Sequence, residues 1–429
     1  ACSALYSQER RQPSLRAFLQ PNAISGAAHR RIMMKITSID IIDVANDFSS
    51  ATSKWRPVVV RVNTDEGISG FGEVGLAYGV GASGGFGMAK DLAQILIGMD
   101  PMCNEAIWEK MLRKTFWGQG GGGIFSAAMS GLDLAMWDIK GKALGVPVYQ
   151  LLGGKTRSKI RAYASQLQFG WGSGKDKAML VDPQAYAETA LIAQEEGYDA
   201  LKVDVLAMDG QGNWNQQDLS GVLPDRVLRR GYDRLAAMRK AVGPDMDIIV
   251  EMHSFTSTIA AIQFGRMIAE LGVLYYEEPV MPLNPKQMKK VADNVPIPIA
   301  AGERIYWRWG YRPFLEEGSV SVIQPDICTC GGITEVKKIC DMAHVYDATV
   351  QIHVCGGPIS TAAALHMEAA IPNFMIHELH RYALLEPNTR TCVHNYMPEK
   401  GMYSAPELPG LGQELTPETI AASTVVTVK

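Results

Sequence analysis

The chain is poor in cysteine, in excess charge of either sign and in long apolar runs, and each shortage excludes a class of protein. Seven cysteines in 429 residues, an odd number thinly spread, do not make a disulfide framework. The closest pair, Cys328-Thr329-Cys330, has no second Cys/His pair at zinc-finger spacing and reads as free thiols of a reducing cytoplasm. Lys and Arg number 41 against 45 Asp and Glu, a net charge of −4, so the basic field needed for nucleic-acid binding is missing. No stretch approaches the ~18 uninterrupted apolar residues of a membrane span. The glycine run Trp117–Gly123 lacks both a preceding strand and the Lys-Ser/Thr ending of a phosphate loop. What remains is an ordinary globular composition on a chain too long for one small core. Two domains, or a large barrel with an attachment, are expected.

Residues 1–33 differ from the rest. Arg10, Arg11, Arg16, Arg30 and Arg31 stand against one acid, Glu9. An Arg-rich, acid-poor, Ser-containing leader resembles a transit peptide. The simpler reading is translated upstream or expression-derived sequence, since the first residue is not Met and Met33-Met34 precede a clean strand. The segment is left out of the fold and is expected to be mobile and dispensable.

From Lys35 to Val44, Pro57 to Asn63 and Ile68 to Glu73 the pattern is β-branched and strand-like, with a turn at Thr64–Gly67. Helices are predicted at Met88–Ile97, Asn104–Lys114 and Ser126–Leu144, the last stopped by Gly145 and Pro147. Strands followed by helices describe a small α+β domain over 34–155. After Gly153-Gly154 the pattern alternates. Strands are predicted at Ile160–Ser165, Ala200–Val205, Asp247–Met252, Val273–Glu277, Ile297–Glu303, Val320–Gln324, Thr349–His353 and Phe374–Glu378. Helices lie between them, for example at Pro183–Glu196, Arg226–Val242 and Thr256–Leu271. Eight strands with seven helices over about 220 residues fit an α/β barrel over 156–385. A doubly wound sheet would need a Gly-rich fingerprint after the first strand, and Ser165–Gly170 is not one.

Ionisable residues recur at the carboxyl ends of these strands: Lys202 and Asp204, Glu251 and His253, Glu277, Glu303, Asp326, His353 and Glu378. From Glu251 onward they come about every 25 residues, the length of one βα unit, so each unit delivers one to the same rim. A single acid after a strand is commonly a solvated loop charge. Six consecutive apolar runs ending this way (DIIVE, VLYYE, PIAAGE, VIQPD, TVQIH, FMIHE) are not so easily dismissed. Converging carboxylates repel one another unless a cation neutralises them. Glu251, Glu277 and Glu303, from adjacent strands and without thiols, favour a hard octahedral ion, Mg2+ ahead of Mn2+ or Ca2+. Asp326 beside His353 would fix the imidazole tautomer and make a general base.

Several segments together carry a resemblance: Ser126–Lys142 (SAAMSGLDLAMWDIKGK), Pro147–Gly154 (PVYQLLGG), Tyr276-Glu277-Glu278-Pro279, Ala301-Gly302-Glu303, Gln324-Pro325-Asp326 and Gly331-Gly332-Ile333-Thr334. From about Met34 onward the chain resembles the enolase superfamily in its mandelate racemase-like branch. The resemblance implies an α/β fold, a (β/α)7β TIM-like barrel with an α+β capping domain. Pro406–Gly412 would begin a return to the cap, over 386–429. It also implies Mg2+ at the three glutamates and a base that removes the proton next to a carboxylate. Glu378 matches the family's acid that hydrogen-bonds the substrate carboxylate in protonated form.

Two departures from the family pattern refine the function. Racemizing relatives carry Lys-x-Lys where this chain has Lys202-Val203-Asp204, so the second base is absent. Glu251-Met252-His253 is similar to the acid-x-His motif of galactonate and mannonate dehydratases, with His253 on the same strand face as Glu251. The expected enzyme is a cytoplasmic, homo-oligomeric hydro-lyase. Its substrate is a small acid sugar, such as galactonate, mannonate or gluconate, converted to a 2-keto-3-deoxy acid. His353 and Asp326 would be the base pair, His253 the acid, and Lys202, Asp204 and Tyr78 substrate contacts. Tyr78 belongs to a Gly-rich stretch, Gly75–Gly87, read as a lid or as a plain surface loop. His377 should face away from the barrel interior. The alternatives are an epimerase or cycloisomerase on the same scaffold, or a catalytically silent barrel with a binding role.

Overall fold

The β-branched runs near the start pair as the alternation requires. In the computed structural model, which describes residues 33–45, 55–172, 180–215 and 219–429, β1 (Ile36–Asp43), β2 (Val58–Thr64) and β3 (Ser69–Val74) form an antiparallel meander. The expectations for the leader fall, Met33 apart, outside the described residues. One face of the sheet is covered by α1 (Ala82–Gln94), α2 (Asn104–Lys114) and α3 (Gly123–Leu144) around Ile39, Ile41, Val60, Trp108, Met129 and Leu132. The approach of α3 to β3 is close enough to exclude side chains: a Cβ on Gly72 would lie 1.9 Å from the Gly131 carbonyl oxygen.

One helix starts earlier than its sequence predicts. Helix α1 begins at Ala82, not Met88, so the second half of the Gly75–Gly87 stretch is helical and only its first half is loop. Glycine is a poor helix former, but this helix is packed against the sheet and α3, and two of its glycines lie close to side chains there. A Cβ on Gly84 would sit 2.9 Å from Ile124, and one on Gly85 3.0 Å from Val74. Packing overrides propensity.

After a short helix, α4 (Val148–Leu151), strands and helices alternate. The sequence runs β4 (Lys159–Ser165), α5 (Pro183–Glu195), β5 (Ala200–Val203), α6 (Asp225–Val242), β6 (Asp247–Glu251), α7 (Thr258–Ile268) and β7 (Val273–Glu277). It continues with α8 (Pro285–Ala292), β8 (Ile299–Ala301), α9 (Trp307–Glu316), β9 (Val322–Ile323), α10 (Gly332–Val345), β10 (Thr349–Val350), α11 (Pro358–Ala370) and β11 (His377–His380). The parallel order is β10-β9-β8-β7-β6-β5-β4-β11, and a parallel bridge between Val350 and Phe374 joins the two ends. The sheet is therefore a closed (β/α)7β barrel. Its interior is filled by Tyr163, Ala200, Ile249, Tyr275, Ala300, Val322 and Ile376.

Most strands stop short of the predicted ends: β8, β9 and β10 keep only three, two and two ladder residues. Past those points the chain turns, and the rim side chains leave the ladder to face one another. After β11 the chain adds β12 (Met402–Ser404), antiparallel to β4, and β13 (Thr424–Val428), antiparallel to β1.

Two acids of the Ser126–Lys142 segment hold the parts together. Asp133 is buried and accepts the Thr334 amide and hydroxyl at the start of α10 (2.9 and 2.5 Å). Asp138 accepts the amides of Phe71 on β3 and Leu411 in the C-terminal segment (2.9 and 2.8 Å). A third acid, Glu73 on β3, accepts the amides of Gly357 and Ser360 at the start of α11 (2.6 and 3.1 Å). Burial raises its pKa to about 7 against these bonds.

Candidate active site

Strand alternation builds the site in two tiers. Two residues beyond the interior layer, on the same side of their strands, come Ser165, Lys202, Glu251, Glu277 and Glu378. They meet: Lys202 Nζ lies 2.6 Å from Glu277, 2.7 Å from Glu378 and 3.3 Å from Glu251, and the Ser165 hydroxyl donates to Glu378 at 3.0 Å. Above them stand Asp204, His253, Glu303, Asp326, His353 and His380. Glu303 follows Gly302, where a Cβ would lie 2.4 Å from the Gln324 amide nitrogen. Only glycine allows β8 to turn so close against β9.

One carboxylate oxygen each from Glu251, Glu277 and Glu303 lies within 4.8 Å of the others. Among the buried oxygens, Glu251 Oε2 and Glu277 Oε2 accept no hydrogen bond. Burial and the neighbouring Glu251 raise the Glu277 pKa well above its ordinary value, with Lys202 opposing. Glu303 goes the other way, to about 2: burial would raise it, but His353, Arg304, Lys202 and His253 prevail. One ammonium does not neutralise this many buried acids, and an uncompensated buried charge costs several kcal/mol. All-oxygen donors, close together, with Glu277 Oε2 accepting no hydrogen bond and Glu251 Oε2 met by Lys202 at 3.3 Å, fit a hard divalent cation.

Two histidines flank this centre, each held by an aspartate. His353 Nδ1 is 2.7 Å from Asp326 Oδ2, whose other oxygen accepts the Cys328 amide at 2.7 Å. His253 Nδ1 is 2.9 Å from Asp204 Oδ2, whose other oxygen accepts the amides of Leu206 and Ala207 at 2.9 and 2.8 Å. They follow β10 and β6, four places apart in a ring of eight, so they face each other across the barrel mouth. Burial alone would lower both imidazoles. For His353, Glu303, Glu378 and the bond to Asp326 outweigh it and push the pKa up to about 10. For His253, Glu251 and Asp204 push it up to about 9. His353 Nε2 sits 3.1 Å from Glu303, whereas the His253 ring is walled by Trp214 and Phe255, each with its centroid 5.6 Å away.

The structure bears on five of the expectations for the site. Asp204 was assigned to substrate, but both its oxygens are engaged and it is buried; it positions His253. His253 is not on a strand face, since β6 ends at Glu251 and His253 has φ +45° in the left-handed region. Its amide donates back to Glu251 Oε1 at 2.7 Å, which holds that turn. Glu378, expected as a protonated donor, sits in surroundings that favour its carboxylate form. Burial would raise its pKa, but Lys202, His380 and His353 hold it well below the ordinary range, and it accepts the Val354 amide at 3.1 Å. Lys202, also assigned to substrate, is buried among three glutamates. Tyr78 is 60 % exposed and makes an antiparallel bridge to Trp55, and partial burial together with the nearby Cys355 and Tyr382 raises the pKa of its phenol.

Sequence reading missed His380, whose Nε2 is 3.1 Å from Glu378, and Cys355, two residues beyond His353. Both carry a legible signal: each stands two residues after a rim residue. His377, by contrast, pairs with Glu368 of α11 at 2.7 Å outside the barrel interior.

Residues 185–419 match the family model for the enolase C-terminal domain-like fold. Residues 42–153 match that for the mandelate racemase / muconate lactonizing enzyme N-terminal domain. The chain is 32% identical to a D-galactonate dehydratase of Variovorax paradoxus, covering 90% of this chain and 94% of the relative. It is also 32% identical to a D-xylonate dehydratase of Haloferax volcanii, with coverages of 91% and 90%. A crystal structure of an enolase superfamily member from Salmonella Typhimurium superposes with a TM-score of 0.90 at 77% identity, over 92% of this chain and 100% of that one. A mandelate racemase/muconate lactonizing enzyme from Sulfitobacter sp. gives 0.81 at 30% identity, over 91% and 95%.

Proposed function

Because the chain belongs to the enolase superfamily, in its mandelate racemase-like branch, we propose that it is a Mg2+-dependent dehydratase of a sugar acid, giving a 2-keto-3-deoxy acid. Relatives that dehydrate galactonate and xylonate support a hydro-lyase, and an aldonate is the substrate class we assign. Residues 34–155 and 386–429 form the cap in this reading, and 156–385 the barrel.

The observation that carries the proposal is the pair of Asp-held histidines facing each other across three glutamates. Glu251, Glu277 and Glu303 would hold the metal. When bound, Mg2+ would neutralise the charge that develops on the substrate carboxylate. His353, with Nδ1 committed to Asp326, takes the C2 proton on Nε2; a cation held by Glu303 would offset the carboxylate charge that otherwise keeps this imidazole protonated. His253, with Nδ1 committed to Asp204, donates from Nε2 to the departing C3 hydroxyl, which leaves as water. The C2–H and C3–O bonds break, a C2–C3 double bond forms, and the enol tautomerises to the 2-keto acid. Facing histidines predict that H and OH leave from opposite faces.

One observation favours a second reading. The second lysine of the racemizing motif, replaced by Asp204 just after β5, is matched by the His253–Asp204 pair, which would serve as the opposing base of an epimerase. Incubating a panel of aldonic and aldaric acids with enzyme and Mg2+ in deuterated water separates the two. Release of a keto acid supports dehydration. Return of the C2 epimer carrying deuterium, without keto acid, replaces the proposal with epimerization.

A further inference from the structure

A second group of donors stands at the rim beside the glutamates. His353 and Cys355 lie two residues apart in the turn after β10, and His380 ends β11, the strand beside it in the ring. One donor atom from each lies within 4.8 Å of the others. His353 Nδ1 is held by Asp326, so Nε2 is its remaining donor. The Glu378 carboxylate spans the two imidazoles, with Oε1 3.1 Å from His380 Nε2 and Oε2 3.8 Å from His353 Nε2.

We propose that His353, Cys355 and His380 form a binding site for a thiophilic divalent cation, Zn2+ foremost, distinct from the three-glutamate site. Two imidazoles and a thiolate are the donors of a tetrahedral zinc site, whereas Mg2+ takes oxygen. Bonds of about 2.0–2.3 Å require the three donors to close in by a fraction of an ångström each. Side-chain rotation in a turn accommodates that. Cys355 binds as thiolate, so its proton passes to solvent on binding. Glu378 balances the remaining charge, and Asp326 on His353 Nδ1 orients the ring as carboxylates do behind metal-bound histidines. Cys355 has no part in the proposed dehydration. Its placement gives the barrel mouth a means of inhibition: zinc on His353 Nε2 occupies the lone pair that would take the C2 proton. That consequence, but not the site, rests on the proposed role of His353.

The test uses the full chain saturated with Mg2+. Titration with Co2+ should produce a near-ultraviolet thiolate-to-cobalt charge-transfer band. Cys355→Ser should lose the band while keeping Mg2+-dependent turnover, and Glu277→Gln should keep the band. Zn2+ should inhibit the parent reversibly, with a zinc chelator restoring turnover, and Cys355→Ser should need roughly 10- to 100-fold more zinc. Absence of the band in the parent, or its persistence in Cys355→Ser, overturns the site whatever reaction the enzyme catalyses. A thiolate band at saturation with undiminished turnover overturns the inhibition.

Discussion

The two histidine–aspartate pairs are built alike and placed differently. In each, Nδ1 meets an aspartate oxygen at 2.7 or 2.9 Å, and the aspartate's other oxygen is fixed by a backbone amide two residues further on. Both imidazoles are pushed upward by carboxylates. What differs is the open side of each ring. His353 turns Nε2 toward Glu303 and Glu378; His253 stands between Trp214 and Phe255. The pairing fixes a tautomer, and the surroundings fix what that tautomer can reach. A third buried histidine makes the contrast complete. His366 has no carboxylate bonded to it, and burial takes its pKa down to about 4, with the bond to Leu411 and Glu407 opposing.

The largest effect should come from removing the centre that both pairs flank. Glu277→Gln, or chelation of the parent, should abolish Mg2+ binding by calorimetry and lower keto-acid release by at least about 10³-fold. Full turnover in chelator-stripped protein would sink the metal assignment. Next, His353→Asn should cost about 10²- to 10⁴-fold in dehydration and equally in exchange of the C2 proton with deuterated solvent. His253→Asn should lose dehydration by a similar factor yet keep the exchange, because proton removal at C2 does not need it. If the His253 variant dehydrates at the parent rate, the pairs do not divide the work as proposed. Asp204→Asn removes one charge-assisted hydrogen bond of about 1.5–3 kcal/mol, so dehydration should fall about 10- to 100-fold with exchange again retained. Loss of exchange in that variant would mean the two sides are not separable.

The smallest effect concerns stability and tests whether carboxylates or burial set the direction of these shifts. The folded pKa of His366, about 4, lies below its ordinary 6.5, so the unfolded chain binds that proton more readily. Stability from this group is present above about pH 6.5 and is lost as pH falls toward 4, by at most about 3 kcal/mol. His366→Gln should flatten this part of the pH dependence, read as urea midpoints at pH 7 and pH 4.5. Equal slopes in parent and variant would show that His366 is not the neutral group its bonds to Tyr149 N and Leu411 O imply.

The barrel was legible because strand and helix periodicities are local, and so was the Asp326–His353 pair, since each residue closes an apolar run ending at the rim. Five of the eight barrel strand ends were placed too late, those of β5, β6, β8, β9 and β10. An apolar run continues to the rim residue, whereas the ladder stops where the chain turns out of it. Helix α1 was misplaced because its glycines answer to Ile124 and Val74, residues outside the helix.

The sequence alone determined the order of strands and helices and the acid or imidazole at successive strand ends, and motif segments such as Ser126–Lys142 and Tyr276–Pro279 carried the resemblance to the family. The tertiary structure decided partnership. Asp204 and His253, separated by 49 positions, are joined by ring closure and by a left-handed turn. The pKa of Glu378 is held below the ordinary carboxylate range because Lys202 lies 2.7 Å away, with His380 and His353 beside it. Cys355 and His380 meet because β10 and β11 close the barrel. Local chemistry sets where a side chain leaves its strand. Its charge and its role depend on what the closed barrel brings against it, and that is a property of distance in space rather than along the chain.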